Sequence, residues 1–304
     1  MTPYREIRGV LPVLSTPFNS SDEIDEKVLQ AEITWVLVQG ADGVTTGMVS
    51  EILRLSVQER MRLHEVVAQT AKPLGGLVIL SAGAESTKQA IAFSLHAQSC
   101  GADAVMVNPP ISTSLDDEET YGYYASILDK TDIPVIVQDA SGYVGKPLSI
   151  EMQVELLNSF GKRVYFKPEA VPIGPRLSRF MEATGNTARV FEGSGGGALV
   201  DTFHRGVIGT MPGADIPWAL VALWKALNSG DWTVIDAIAG PLASLIDLQH
   251  SLDAYLAIEK FLLLKQGVFT NVIVREPVGY RLDEKTQAEA ERLYLLLRSR
   301  ALGN

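Results

Sequence analysis

Lys167 ends a short run of strand-forming residues, Val164-Tyr165-Phe166, and is followed by Pro168. Proline has no N–H to extend a β-ladder, so the strand is expected to end at the lysine. Alternation along the strand places Tyr165 and Lys167 on one side, toward the interior. Burial disfavours a charged lysine, and a neutral amine attacks carbonyl carbons. Lys167 is therefore the candidate for Schiff-base formation; the alternative is a lysine whose ammonium reaches water.

Two other predicted strands end in polar groups. The segment Thr45–Glu51 contains a glycine, and consecutive backbone N–H groups in such a turn can bind a carboxylate. Gln138 and Asp139 follow Val135-Ile136-Val137, and one of the two should point inward. Asp139 has an alternative role as a turn former.

A glycine-rich turn, Glu192–Gly197, follows the seventh predicted strand. Loops at this place in barrel enzymes often hold phosphates through backbone N–H groups, so a phosphosugar enzyme is a competing hypothesis. The alternative, which we favour, is that the glycines allow a tight turn or a close approach to substrate.

Short β-branched runs alternate with helical patterns along the chain and predict a (β/α)₈ TIM barrel, in the α/β class. A doubly wound sheet is disfavoured because no Gly-x-Gly-x-x-Gly turn follows the first strand. We predict a barrel domain over 1–228 and a C-terminal extension of three helices over 229–304. Active residues of such barrels lie at the C-terminal ends of strands. The predicted strands are Val10–Ser15, Gly43–Thr46, Leu77–Ser81, Ala104–Asn108, Val135–Asp139, Val164–Lys167, Val190–Glu192 and Val207–Met211.

Composition excludes several functional classes. The 304 residues carry a net charge of −10, which argues against nucleic acid as a partner. No run of about 18 apolar residues predicts a membrane span. The start of the chain, Met1–Glu6, has no signal-peptide core, and the single cysteine fits a reducing compartment, so a cytoplasmic location is expected. The four histidines form no metal-ligand pattern, and no metal is predicted.

Several motifs together resemble one family nearly end to end, that of dihydrodipicolinate synthase and N-acetylneuraminate lyase. The matching motifs are Gly9–Phe18, Glu51-x-x-x-Leu55, Glu59-Arg60, Gly101-Ala102-Asp103-Ala104 with Pro109-Pro110, Ile133-Pro134-Val135 and the lysine strand. The resemblance implies a (β/α)₈ barrel with three C-terminal helices and a homotetramer or homodimer. It also implies a Schiff base between Lys167 and a small 2-keto acid, with no other cofactor.

The chain departs from the family pattern at the residues that move protons. Gln138 stands where synthases and lyases have a tyrosine, and an amide cannot do acid–base work. Met48 and Val49 replace a threonine pair, and Ile111-Ser112 follow Pro110 where a tyrosine is usual. Condensation of the lysine-biosynthetic kind is therefore not expected.

The 2-keto-3-deoxy-pentonate dehydratases of the L-arabonate pathway share these departures, in Val137–Ala140, Tyr165–Lys167 with Glu169, Ser50-Glu51 and Glu192-Gly193. This resemblance implies proton removal at C3 and loss of hydroxide from C4. The base is a bound water, Ser50 or Glu169. The alternatives are a pyruvate-dependent aldolase and a catalytically altered keto-acid-binding barrel. The predicted catalytic residues are Lys167, Gln138 and Ser50, and the predicted substrate-binding residues are Met48, Val49, Glu169, Gly193, Met211 and Tyr143.

Overall fold

Eight parallel strands alternate with helices and close into a (β/α)₈ barrel in the computed structural model, which describes residues 5–143 and 145–303. Residues 1–4, which form most of the segment considered for a signal peptide, lie outside this range. The strands are β1 Gly9–Val10, β2 Gly43–Thr45, β3 Leu77–Ser81, β4 Ala104–Val107, β5 Val135–Asp139, β6 Val164–Pro168, β7 Phe191–Glu192 and β8 Gly209–Thr210. The predicted fold class is confirmed.

Bridges between single residues complete the barrel. The strands pair in the orders β1-β8-β7 and β2-β3-β4-β5-β6. Val13 bridges to Thr45 and to Gly213, and Phe166 bridges to Val190, so the two groups join at both sides. The first strand is shorter than predicted because Pro12 interrupts the ladder: it has no N–H to donate.

A helix follows each strand, and serine side chains cap the starts of some of these helices. Ser86 and Ser149 accept hydrogen bonds from the third backbone N–H of their helices. The helices are α1 Glu26–Val38, α2 Val57–Ala71, α3 Thr87–Ser99, α4 Asp117–Lys130, α5 Ile150–Phe160, α6 Ile173–Ala183, α7 Leu199–Phe203, α8 Pro217–Ser229, α9 Trp232–Asp247, α10 Leu252–Lys265 and α11 Glu284–Leu302. None of these helices is long and apolar enough to cross a membrane.

The core has two layers, and alternation along β6 shows how they separate. Tyr165 lies in the barrel interior with Ile136 and Phe191, whereas Phe166 packs outward against Phe180 of α6. Lys167 is two residues beyond Tyr165, so it faces the same interior at the C-terminal end of the barrel. The predicted orientation of the lysine strand is therefore confirmed.

The three last helices form the predicted C-terminal extension, and α10 contacts the C-terminal end of the barrel. Lys260 of α10 donates to the backbone oxygen of Thr16, and Glu259 accepts from the N–H of Ala214. These contacts join α10 to the loops after β1 and β8. The division of domains after residue 228 stays a prediction.

Candidate active site

Lys167 lines a small cavity, and the residue is 5% exposed. Its Nζ donates a hydrogen bond to Oε1 of Glu169 at 2.5 Å. The same carboxylate oxygen accepts from Nε2 of Gln138 at 3.0 Å. Gln138 and Lys167 are register partners on β5 and β6, which explains why their side chains meet. One carboxylate oxygen thus holds the amine and the amide together.

Two oxygens of this cluster have no hydrogen-bond partner among the described residues: Oε2 of Glu169 and Oε1 of Gln138. Buried polar atoms in folded proteins are nearly always satisfied, so such atoms mark a place where a substrate or water binds. Burial raises the pKa of the Glu169 carboxyl, and the nearby Lys167 ammonium opposes part of that rise. A carboxyl of this kind is suited to accept a proton and return it.

The lysine and its partner pack closely against Gly193. A Cβ at this position would lie 3.0 Å from Cγ of Glu169 and 3.1 Å from Cε of Lys167. The backbone N–H of Ser194 is already bound, at 2.6 Å, by the carboxylate of Glu192. Negative charge at the start of the glycine-rich turn repels a phosphate, so the structure favours the close-approach hypothesis over phosphate binding.

Ser50 is held inside the loop after β2 rather than in the cavity. Its hydroxyl donates to the backbone oxygen of Leu14 at 2.5 Å and accepts from the N–H of Gly47 at 3.0 Å. Met48 and Val49, in the same turn, line the cavity. The first N–H groups of a helical turn lack intrahelical acceptors, so those of Met48 and Val49 can bind a carboxylate. Among the candidate bases, the structure favours Glu169 over Ser50.

The cavity above Lys167 has a volume of about 20 Å³, which is room for about one water molecule. A keto acid can enter only if a lining side chain moves. Its lining residues are Val13, Gly47, Met48, Val49, Met106, Gln138, Tyr143, Lys167, Gly193, Gly195, Met211, Pro212, Gly213 and Tyr255.

Most predicted site residues meet here. Seven of them line the cavity, namely Lys167, Gln138, Met48, Val49, Gly193, Met211 and Tyr143. Glu169 binds the amine, and Ser50 is behind the loop. Asp139 has the alternative role: it accepts from the N–H groups of Ser141 and Leu148 in the turn. The catalytic and binding roles themselves stay predictions.

Tyr255 is a lining residue from outside the barrel strands that sequence reasoning missed. It comes from α10, so the rule that active residues follow barrel strands gives no signal for it. Its ring lies edge to face with that of Tyr143, with centroids 6.4 Å apart. The cavity is therefore built by both the barrel and the extension.

A second and larger cavity, of about 270 Å³, lies between the loops after β4 and β5. Its lining includes Ile111, Leu115, Ala140 and Lys146 but not Lys167. Across the described ranges, no group of three His, Cys, Asp or Glu side chains is arranged to hold a metal ion. The expectation of a site without metal stays a prediction.

Comparisons with known proteins agree on one family. The model of the dihydrodipicolinate synthetase family matches residues 6–294. A 4-hydroxy-tetrahydrodipicolinate synthase of Bartonella bacilliformis is 30% identical over 229 residues, covering 74% of this chain and 77% of the relative. A putative dihydrodipicolinate synthetase of Pseudomonas aeruginosa has the same fold, with a TM-score of 0.86 at 21% identity, covering 96% of this chain and 100% of its own.

A further solved structure with this fold contains a keto acid. YagE, a prophage protein of the dihydrodipicolinic acid synthase family from E. coli K12, was solved in complex with pyruvate. It has a TM-score of 0.82 at 21% identity and covers 96% of this chain and 98% of its own.

Proposed function

The chain belongs to the dihydrodipicolinate synthetase family, and from that premise we propose that it is a dehydratase of 2-keto-3-deoxy sugar acids. As a member of this family it is an enzyme of the class I, Schiff-base lyase type. The curated relatives carry the name 4-hydroxy-tetrahydrodipicolinate synthase. The observation that carries our proposal is the buried cluster of Lys167, Glu169 and Gln138, which contains one carboxylate and no phenol where synthases have one.

The first step is imine formation. Glu169 takes a proton from Lys167 across their 2.5 Å hydrogen bond, and the neutral amine attacks the C2 carbonyl. The carbonyl oxygen leaves as water after receiving protons from the amine and from Glu169, so the carboxylate is restored. The backbone N–H groups of Met48 and Val49 bind the substrate carboxylate.

The second step is elimination. The protonated imine withdraws electrons, so the C3 proton becomes acidic and Glu169 removes it. The electron pair forms the C3–C4 double bond as the C4–O bond breaks, and Glu169 returns the proton to the leaving oxygen, which departs as water. A second water then hydrolyses the imine and frees Lys167. Because one carboxyl removes and returns the proton, no tyrosine relay is needed.

An aldolase of the same family is the second candidate, and the pyruvate held by the similar YagE structure favours it. Both reactions share the imine, but cleavage of the C3–C4 bond releases pyruvate. A keto-acid-binding barrel without turnover is the third. A homotetrameric or homodimeric assembly, a cytoplasmic location and the absence of any cofactor beyond the lysine belong to the same proposal.

Two measurements test the proposed function. Borohydride reduction in the presence of pyruvate should add one reduced adduct to the intact mass, located on Lys167 and absent from Lys167→Ala. A panel of 2-keto-3-deoxy acids should then give products lighter by one water. Free pyruvate would replace the dehydratase with the aldolase, and an unmodified intact mass would refute the Schiff base itself.

A further inference from the structure

Tyr255 places a phenol from the C-terminal extension in the cavity of Lys167. The residue is 3% exposed. Its hydroxyl oxygen accepts a hydrogen bond from the N–H of Gly213, in the loop after β8, at 2.9 Å. That bond fixes the phenol at the C-terminal end of the barrel, where the chemistry of such folds takes place.

The surrounding backbone leaves space for this hydroxyl. A Cβ on Gly213 would lie 2.5 Å from the Tyr255 oxygen, so only glycine fits at that position. A Cβ on Gly195, from the loop after β7, would lie 3.4 Å from the same oxygen. The phenol therefore occupies a slot between two loops of the active site.

The helix that carries Tyr255 is anchored on both sides of it. Asp253, two residues before, forms an ion pair with Arg54. Glu259, one turn after, accepts from the N–H of Ala214 at 2.8 Å, and Lys260 pairs with Glu51. Tyr143 lies on a loop, whereas Tyr255 lies on a fixed helix. A side chain on a fixed helix holds its position more accurately than one on a loop.

The O–H of Tyr255 is a donor without a protein acceptor in the part of the chain that the structure describes. A phenol has one donor and can accept, and its acceptor side is used by Gly213. Burial, with the nearby Asp215 and Glu259 carboxyls, raises the pKa of Tyr255 well above its usual value. The hydroxyl thus keeps its proton and can direct it into the cavity.

We propose that Tyr255 is a catalytic residue whose hydroxyl donates a hydrogen bond to the oxygen leaving from C4 of the substrate. This role rests on the proposed dehydration. Glu169 carries the proton from C3 to that oxygen. Tyr255 keeps its own proton throughout, so the proton transfers of the proposed dehydration are unchanged. The hydrogen bond strengthens as negative charge develops on the leaving oxygen, so it lowers the barrier more than it tightens substrate binding.

The test compares Tyr255→Phe with Tyr294→Phe. The first keeps the ring and removes the hydroxyl, and we expect kcat to fall about 100-fold with little change in KM, as for the loss of one oxyanion donor. The borohydride adduct with pyruvate on Lys167 should form as in wild type, which shows that the site is folded. Tyr294, a buried tyrosine of α11 bound by Arg298, is the matched control and should leave kcat unchanged.

Two results would overturn the role of Tyr255, and they are distinguishable. If the wild type releases water from its substrate and Tyr255→Phe does so equally fast, the inference fails while the proposed function stands. If the wild type forms the adduct but releases pyruvate instead of water, the dehydration fails, and the role of Tyr255 at C4 fails with it.

Discussion

Within the described ranges, two buried lysine–glutamate pairs have the same separation and different surroundings. Lys167 and Glu169, at the end of β6, are 2.5 Å apart, and so are Lys260 of α10 and Glu51 of the loop after β2. Lys260 also donates to the backbone oxygens of Thr16 at 2.7 Å and Ile273 at 2.6 Å, so all of its N–H groups are used. Lys167 has one acceptor among the described residues.

The carboxylates differ in the same way. Both oxygens of Glu51 are bound, one by Lys260 and the other by the N–H of Arg275 at 2.9 Å. Oε2 of Glu169 has no partner within residues 5–143 and 145–303. A fully satisfied pair stabilises a structure, whereas a pair with free sites can bind substrate and move protons. Burial and distance alone do not distinguish a reactive lysine from a structural one.

Removing Lys260, whose hydrogen bonds are all made, gives the largest expected effect on stability. Lys260→Met leaves Glu51 buried, with Arg54 3.9 Å away and 20% exposed as its remaining cation. The free energy of unfolding should fall by about 3–5 kcal/mol, the usual cost of removing one partner of a buried pair. Urea unfolding measures it.

The matched variant is Lys167→Met, in the pair that Lys167 forms with Glu169. It should abolish the borohydride adduct but cost less stability, because the raised pKa of Glu169 lets that carboxyl become neutral when the lysine is gone. Lys260→Met should still form the adduct where it is folded. Equal losses of stability in the two variants would contradict the distinction between the pairs.

The second prediction concerns Glu169, whose Oε2 has no partner among the described residues. Glu169→Gln should lower kcat about 100-fold, at the low end for loss of a general base, because a cavity water replaces the base in part. The base acts when ionised, and its pKa is raised by burial, so wild-type kcat should fall as pH drops through that raised pKa. Rates across pH measure both effects.

A conservative variant separates the base from a purely structural carboxyl. Glu169→Asp keeps an ionisable group and should keep the acid limb of the pH profile at a reduced rate, whereas Glu169→Gln should lose the limb. An acid limb that persists in Glu169→Gln would assign the titrating group elsewhere.

The sequence predicts the features of the site that local pattern determines. Pro168 and the alternation of Tyr165 and Lys167 are sufficient to orient the lysine, and strand ends bring Gln138 beside it. The contacts that join distant segments leave no such trace. Lys260 meets Glu51 across 209 residues, and Tyr255 reaches the cavity from a helix outside the barrel, so neither follows from a strand or helix period.

The sequence also fails to predict the hydrogen bonds inside the loop after β2. The sequence offers Ser50 as a base because a hydroxyl follows a predicted strand. In the structure that hydroxyl closes the turn by binding Gly47 and Leu14, and hydrogen-bond partners inside a loop are decided by its backbone conformation. Glu51, next in the chain, has a left-handed φ of 56° and is held there by Lys260 and Arg275.

The smallest predicted effect concerns a carboxyl beside the satisfied pair, Glu259 of α10. It is fully buried, Oε1 accepts from Ala214, and Oε2 has no partner in the described residues. Burial first, and then the Asp215 carboxyl, raise the pKa of Glu259 well above its usual value.

A group with a raised folded pKa contributes stability that is complete below its unfolded pKa of about 4.3 and is lost as pH rises through the folded pKa. Glu259→Gln mimics the protonated form, so its free energy of unfolding should exceed that of wild type at neutral pH by about 1 kcal/mol, and the gap should close as the pH is lowered. Thermal unfolding across pH measures the gap. A gap that is constant with pH would mean that Glu259 does not titrate on unfolding.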